Sequence, residues 1–188
     1  VDVALSGDGE PTAEPWFPAA ARVVAEERAT AGLTGLPLRI ITNATTFHAR
    51  PVAETLAHLD DHGLDVWAKL DAGTAAYYRL VDRSRVPFER VLANITACAR
   101  ARATTIQALF ARHHGEPPGA AEIAAWADRL REIVAAGGRI GWVQVHTVSR
   151  PPAESFVSAL TIPELEAIAA AARAAVPAAR VDVHGGGA

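Results

Sequence analysis

Two carboxylates open the chain's chemistry. Asp8 and Glu10 lie in the run Ser6-Gly7-Asp8-Gly9-Glu10-Pro11-Thr12, directly after the apolar segment Val1-Leu5. The glycines let the backbone turn sharply. A carboxylate held at such a turn can clamp an ammonium through charge-assisted hydrogen bonds; the alternative is a solvated turn with Glu10 near the start of a helix. Further polar groups recur at intervals: Thr42-Asn43-Ala44-Thr45, Lys69-Leu70-Asp71, Arg112-His113-His114, and Gln144-Val145-His146-Thr147 followed by Ser149-Arg150. Lys69 offers a charge at a site mouth or a Schiff-base amine; its plainer role is to pair with Asp71. Arg150 offers a guanidinium fork for a carboxylate or phosphate, or is a loop arginine ahead of Pro151-Pro152. Whichever of Gln144 and His146 points inward is placed to meet a substrate; a hydrogen-bonded core histidine competes with that reading.

Other chemistries lack their parts. Cys98 is the single thiol. It falls on the stripe Phe88, Val91, Leu92, Ile95, Cys98 at helical spacing and reads as a small buried hydrophobe. His113 and His114 are adjacent, so they splay apart as surface loop residues, and no zinc-type spacing supplies a third ligand. Gly7-Asp8-Gly9 lacks the third glycine of a dinucleotide loop, and neither a Walker A run nor a Gly-x-Ser-x-Gly elbow occurs. A net charge of -3 gives no electrostatic footprint for nucleic acid. No apolar stretch approaches the roughly 20 residues needed to span a bilayer. One cysteine excludes an internal disulfide, and with no signal peptide it points to a reducing, cytoplasmic setting. The chain contains no methionine and opens inside a strand, so it is expected to be an internal piece of a longer protein.

The elements that must position these groups alternate along the chain. Strands are expected at Val1-Leu5, Leu38-Thr42, Val66-Leu70, Thr104-Phe110, Ile140-Val148 and Arg180-His184. Helices are expected at Pro15-Ala31, Pro51-His62, Pro87-Arg100, Ala120-Ala136 and Ile162-Ala175. In the fourth helix Ile123, Trp126, Leu130, Ile133 and Val134 share one face, and Gly137-Gly138 stop it. Thr161 with Glu164 matches a capping box for the fifth. The second opens near Pro51 and ends at Gly63. Repeated strand-helix units give an α/β fold with a parallel sheet and right-handed crossovers. Periodicity leaves open whether that sheet closes into a barrel, closes partly or stays doubly wound. In any of these the chemistry gathers at the carboxyl ends of the strands, where all the polar groups above fall.

Gly7-Asp8-Gly9-Glu10-Pro11-Thr12 resembles the glycine-glycine-glutamate-proline segment of the radical S-adenosylmethionine (radical SAM) enzymes. Ile41-Thr42-Asn43-Ala44 resembles that family's threonine-asparagine turn. Trp67-Ala68-Lys69-Leu70-Asp71-Ala72 resembles the fourth strand of its uncharacterised iron-sulfur oxidoreductase branch. The segment Val143 to Glu154, through His146, Arg150 and Pro151-Pro152, resembles that branch's sixth strand and following loop. The likeness spans nearly the whole chain.

The resemblance implies a partial parallel (β/α) TIM-like barrel over residues 1–184, lacking its first strand, with 185–188 as a flexible tail. It implies S-adenosylmethionine binding by Gly7, Asp8, Gly9, Glu10, Asn43, Lys69 and Asp71, with Gly9 and Glu10 on the amine. Gln144, His146 and Arg150 would line the substrate. In an intact relative the implied reaction is reductive cleavage of S-adenosylmethionine at a [4Fe-4S] cluster to a 5′-deoxyadenosyl radical. The cluster loop of that family, Cys-x3-Cys-x2-Cys, is not in this sequence. One thiol cannot replace the three soft ligands a cluster needs, so this chain is expected to hold no cluster and to be inactive alone. Two other functions remain: a degenerate S-adenosylmethionine or nucleoside-binding module, and a Schiff-base aldolase using Lys69. Loss of the first strand would leave the Val1-Leu5 edge unpaired, with self-association as the expected consequence.

Overall fold

The computed structural model describes residues 1–7 and 9–186. The Asp8 expectation, and the Gly187-Ala188 end of the expected tail, lie outside the described residues. The strands are β1 (Val3–Leu5), β2 (Leu38–Thr42), β3 (Leu64–Lys69), β4 (Thr104–Leu109), β5 (Ala111–His113), β6 (Ile140–His146), β7 (Val157–Ala159) and β8 (Arg180–His184). The helices are α1 (Phe17–Thr30), α2 (Arg50–Asp60), α3 (Ala75–Val81), α4 (Phe88–Ala101), α5 (Ala120–Ala135) and α6 (Ile162–Ala175), with a 3-10 turn at Pro11–Ala13.

Six strands form one parallel sheet in the order β1-β2-β3-β4-β6-β8. The order never reverses, so there is no topological switch point and the sheet is not doubly wound. Right-handed crossovers that always step the same way put the helices on one face. Accordingly α1 packs on α2, α4 on α5 and α5 on α6. The core lies between the layers. Leu38 and Ile40 of β2, Val66 and Ala68 of β3, Ile106 and Ala108 of β4, and Val143 and Val145 of β6 are all fully buried there. Each large aliphatic side chain so buried contributes about 1.5–3 kcal/mol.

Strand alternation sends the intervening residues to the opposite face, and these are mostly polar or aromatic. Pairing register aligns them in rows. Ile41, Trp67, Thr105, Trp142 and Arg180 form one row; Lys69, Gln107, Gln144 and Asp182 form the next; Leu109, His146 and His184 form the last. Trp67 and Trp142 meet edge to face across the small Thr105, 5.4 Å between centroids. Arg39 stacks 3.9 Å over Trp67 and Arg180 4.6 Å over Trp142. Their indole N–H groups donate to Asp65 and Asp182 at 2.8 and 3.1 Å. This belt floors the polar face below the strand ends.

The local signals act as the residue types dictate. The Thr161–Glu164 capping box is formed at α6. Gly63 and Gly137 take positive φ after α2 and α5. One helix lies outside the expected set, and two expectations need correction. Thr74 caps a helix, α3, by accepting the Tyr77 N–H; at seven residues it is too short to show periodicity. His113 is not a loop residue: it ends β5, which pairs antiparallel with β7 in a separate two-stranded sheet. Gln144 and His146 do not compete for one inward position: two residues apart on β6, they share the polar face. Among the described residues, no helix is long and apolar enough to cross a membrane.

Candidate functional site

Glu10 joins the opening loop to the end of β2. Its Oε1 accepts the Thr12 N–H at 3.1 Å, the Thr12 hydroxyl at 2.5 Å and the Thr42 hydroxyl at 2.6 Å, and its Oε2 accepts the Asn43 N–H at 2.6 Å. The chain thus crowds Oε1 with three donors, while Oε2 accepts one and keeps an acceptor site open. Beyond Asn43 the backbone is strained: Ala44 has φ 58°, an αL cost of about 1–2 kcal/mol for an L-residue. Buried Asn94 of α4 offsets it by donating to the Ala44 carbonyl at 2.7 Å. Ser6, Gly7, Gly9, Glu10, Ile41, Thr42, Asn43 and Lys69 border a cleft of about 300 Å³. A Cβ on Gly7 or Gly9 would meet nothing within 4 Å, so a ligand has room to lie against this backbone.

The end of β3 is held from below by α5. Buried Glu122 accepts the Gly73 N–H at 2.5 Å, the Thr74 N–H at 3.1 Å and the Thr74 hydroxyl at 2.7 Å. Trp126, fully buried, donates to the Leu70 carbonyl at 2.9 Å. Gly73 is required by close approach: a Cβ there would overlap the Trp126 backbone nitrogen. Fixed at both ends, the turn aims Asp71 across to β4, where its Oδ1 accepts the Leu109 N–H at 2.7 Å. Burial raises the Asp71 carboxyl above its ordinary range, opposed by Lys69 and by the Leu109 N–H. Asp82, at the end of α3, is pushed up to about 7, first by burial and then by Asp71.

The last polar row completes the site. The Gln107 amide and the His146 Nε2 both meet the Gln144 Oε1, at 3.2 and 3.1 Å. His146 stacks on His184, 4.5 Å between centroids. Burial, then His184 and Lys69, lower His146 to about 4, so it stands neutral at pH 7. Lys69, Asp71, Gln107, Leu109, His146 and the segment 147–152, which includes Arg150, enclose a cleft of about 480 Å³. Lys69 borders both clefts.

The structure thus gathers Gly7, Gly9, Glu10, Asn43 and Lys69 around one cleft, and Lys69, Asp71, His146 and Arg150 around the other. Gln144 is fully buried beneath the second and supports His146 rather than lining it. Lys69 is exposed, whereas Schiff-base lysines are activated by desolvation; the aldolase reading gains nothing here. Asp82, Gln107, Glu122 and His184 are not among the expected site residues, and Trp126 is expected only on the apolar face of its helix. Gln107 and His184 carry a signal, since each is a polar residue within an expected strand, Thr104-Phe110 and Arg180-His184. Glu122 carries none, because its partners lie 48 and 49 residues away.

A [4Fe-4S] cluster does not fit these residues. Cys98 is buried between α4 and β4, beside Arg102 at 3.2 Å and Thr104 at 3.6 Å. Among the described residues, no group of three His, Cys, Asp or Glu side chains is placed to hold a metal ion. A scan against protein-family models finds no match, and a search of curated proteins returns no significant one.

Proposed function

We propose that this chain is the larger part of a radical S-adenosylmethionine core, a partial parallel βα barrel without its first strand, working in a reducing, cytoplasmic setting. Its role as it stands is to bind S-adenosylmethionine. One observation carries this reading: Glu10 is bonded to Asn43, so the two segments that resemble the family's cofactor motifs build a single cleft, with Lys69 on its rim. The four Glu10 bonds shape the loop, and its Oε2 keeps an acceptor site for the ligand amine beside the backbone of Gly9. Asn43 and Lys69 supply polar contacts further along. The chain's share of the chemistry is to bind, orient and exclude water; radical generation requires thiolates that these residues do not include.

Calorimetry with S-adenosylmethionine on the iron-free chain tests the reading. Saturable binding is expected, weakened by Gly9→Val, whose side chain would fill the approach to the loop. Absence of binding to the folded chain would overturn it. A second reading, a degenerate nucleoside-binding module, is favoured by the cleft that Gly7, Gly9, Glu10 and Asn43 border on a chain with a single thiol. It is distinguished by adenosine: equal affinity for adenosine and S-adenosylmethionine supports the module, and a clear preference for the sulfonium supports the cofactor core.

A further inference from the structure

The larger cleft carries two cations, Lys69 and Arg150, that have no ion-pair partner among the described residues. Arg150 lies on the segment 147–152, which leaves β6 and forms one wall. This segment is fastened at both ends: the Thr147 hydroxyl accepts the Leu160 N–H at 2.8 Å, and Glu154 pairs with Arg83 at 2.9 Å. Pro151 and Pro152 fix their own φ angles and stiffen it between those ties. Lys69, at the end of β3, lines the same cleft. Among the described residues, neither Arg150 nor Lys69 has a carboxylate within ion-pair distance.

Among the described lining residues Asp71 is the one carboxylate, set against the two cations, and the Leu109 N–H already uses one of its oxygens. His146 and Gln107 contribute neutral polar atoms. The volume suits a small molecule. Unpaired cations in a partly enclosed cleft concentrate anions there. A guanidinium presents parallel N–H donors that match the paired oxygens of a carboxylate or phosphate, while an ammonium acts as a mobile point charge.

We propose that this cleft takes a substrate bearing an oxyanion, a carboxylate or a phosphate, gripped between Arg150 and Lys69. Calling the ligand a substrate rests on the cofactor-core reading above; the anion site itself does not.

The test is a titration of the full chain with methyl phosphate and, separately, propionate, at constant ionic strength against chloride. The readouts are the Ser149 amide and the Arg150 Nε–H by NMR. Saturable shifts in the millimolar range are expected, weakened at least about tenfold in Arg150→Gln. The tighter of the two anions names the group the substrate carries. Shifts no larger than chloride produces, or an Arg150→Gln chain that binds like the parent, would overturn the proposal. Lys69→Gln, read the same way, keeps the test decisive if Arg150→Gln melts early. S-adenosylmethionine affinity is measured on the same samples. Anion binding without cofactor binding sinks the cofactor reading alone; cofactor binding without an anion response sinks this inference alone.

Discussion

Glu10 and Asn43 stand 33 residues apart in the chain, and the Glu10 carboxylate accepts the Asn43 backbone N–H at 2.6 Å. The same carboxylate takes the Thr42 hydroxyl, so the end of β2 and the opening loop share one acceptor. Glu10→Ala strands these donors at a partly buried position, a cost of about 1–3 kcal/mol. The expected outcome is a lower urea midpoint together with loss of S-adenosylmethionine binding, while Glu10→Gln retains part of both. A Glu10→Ala chain as stable as the parent would show that the staple is idle.

The Glu122 clasp separates shape from charge. In Glu122→Gln one oxygen still accepts the Gly73 and Thr74 N–H groups and the new amide can donate to the Thr74 hydroxyl, so the loss should stay near 1 kcal/mol. Glu122→Ala removes all three bonds at a buried site and should cost about 3 kcal/mol or more. Gly73→Ala, which drives a methyl into the α5 backbone, should be as damaging. Chemical denaturation of the three variants checks this order; an alanine variant no worse than the glutamine one would refute it.

His146 and Asp82 pull pH dependence in opposite directions. His146 falls from 6.5 to about 4 on folding, so the unfolded chain binds its proton more tightly. The stability from neutral His146 is therefore lost as pH drops from about 6.5 to 4. Asp82 rises from 3.8 to about 7, so the folded chain binds its proton more tightly. Its contribution is lost as pH climbs from about 4 to 7. Relative to the parent, Asp82→Asn should make the urea midpoint rise more steeply with pH across this window, and His146→Asn should make it rise less steeply or fall. Parallel profiles for all three chains would refute both assignments.

The free edge of β1 is addressed through one amide. Val3 donates to the Pro37 carbonyl on the β2 side, so alternation turns the Ala4 N–H and C=O toward the open edge. Self-association through that edge should appear as concentration-dependent sedimentation, and Ala4→Pro, which removes the outward donor without touching the β1–β2 bonds, should shift the chain toward monomer. A parent chain that sediments as a monomer at every concentration would refute the edge contact.

Much of the scaffold was written in local periodicity. Leu38–Thr42, Arg180–His184 and Ile162–Ala175 were legible to the residue because alternation, β-branched content and the Thr161–Glu164 box are all short-range signals. Strand parity alone puts Gln144 and His146 on one face. Three-residue strands such as β5 and β7 were illegible, since neither has a pattern of its own and each exists through pairing with the other.

By itself the sequence determined a parallel α/β scaffold, the polar groups at its strand ends and the absence of a thiolate set. Only the tertiary structure decided that the strands run in one unreversed order, that Glu10 ties Thr12, Thr42 and Asn43 together, and that Arg150 and Lys69 line one cleft, Arg150 having no carboxylate partner among the described residues. The physical reason is range. Side-chain periodicity follows from dihedral angles fixed residue by residue, whereas the partner of a buried charge is whichever group the packing of distant elements delivers within about 3 Å.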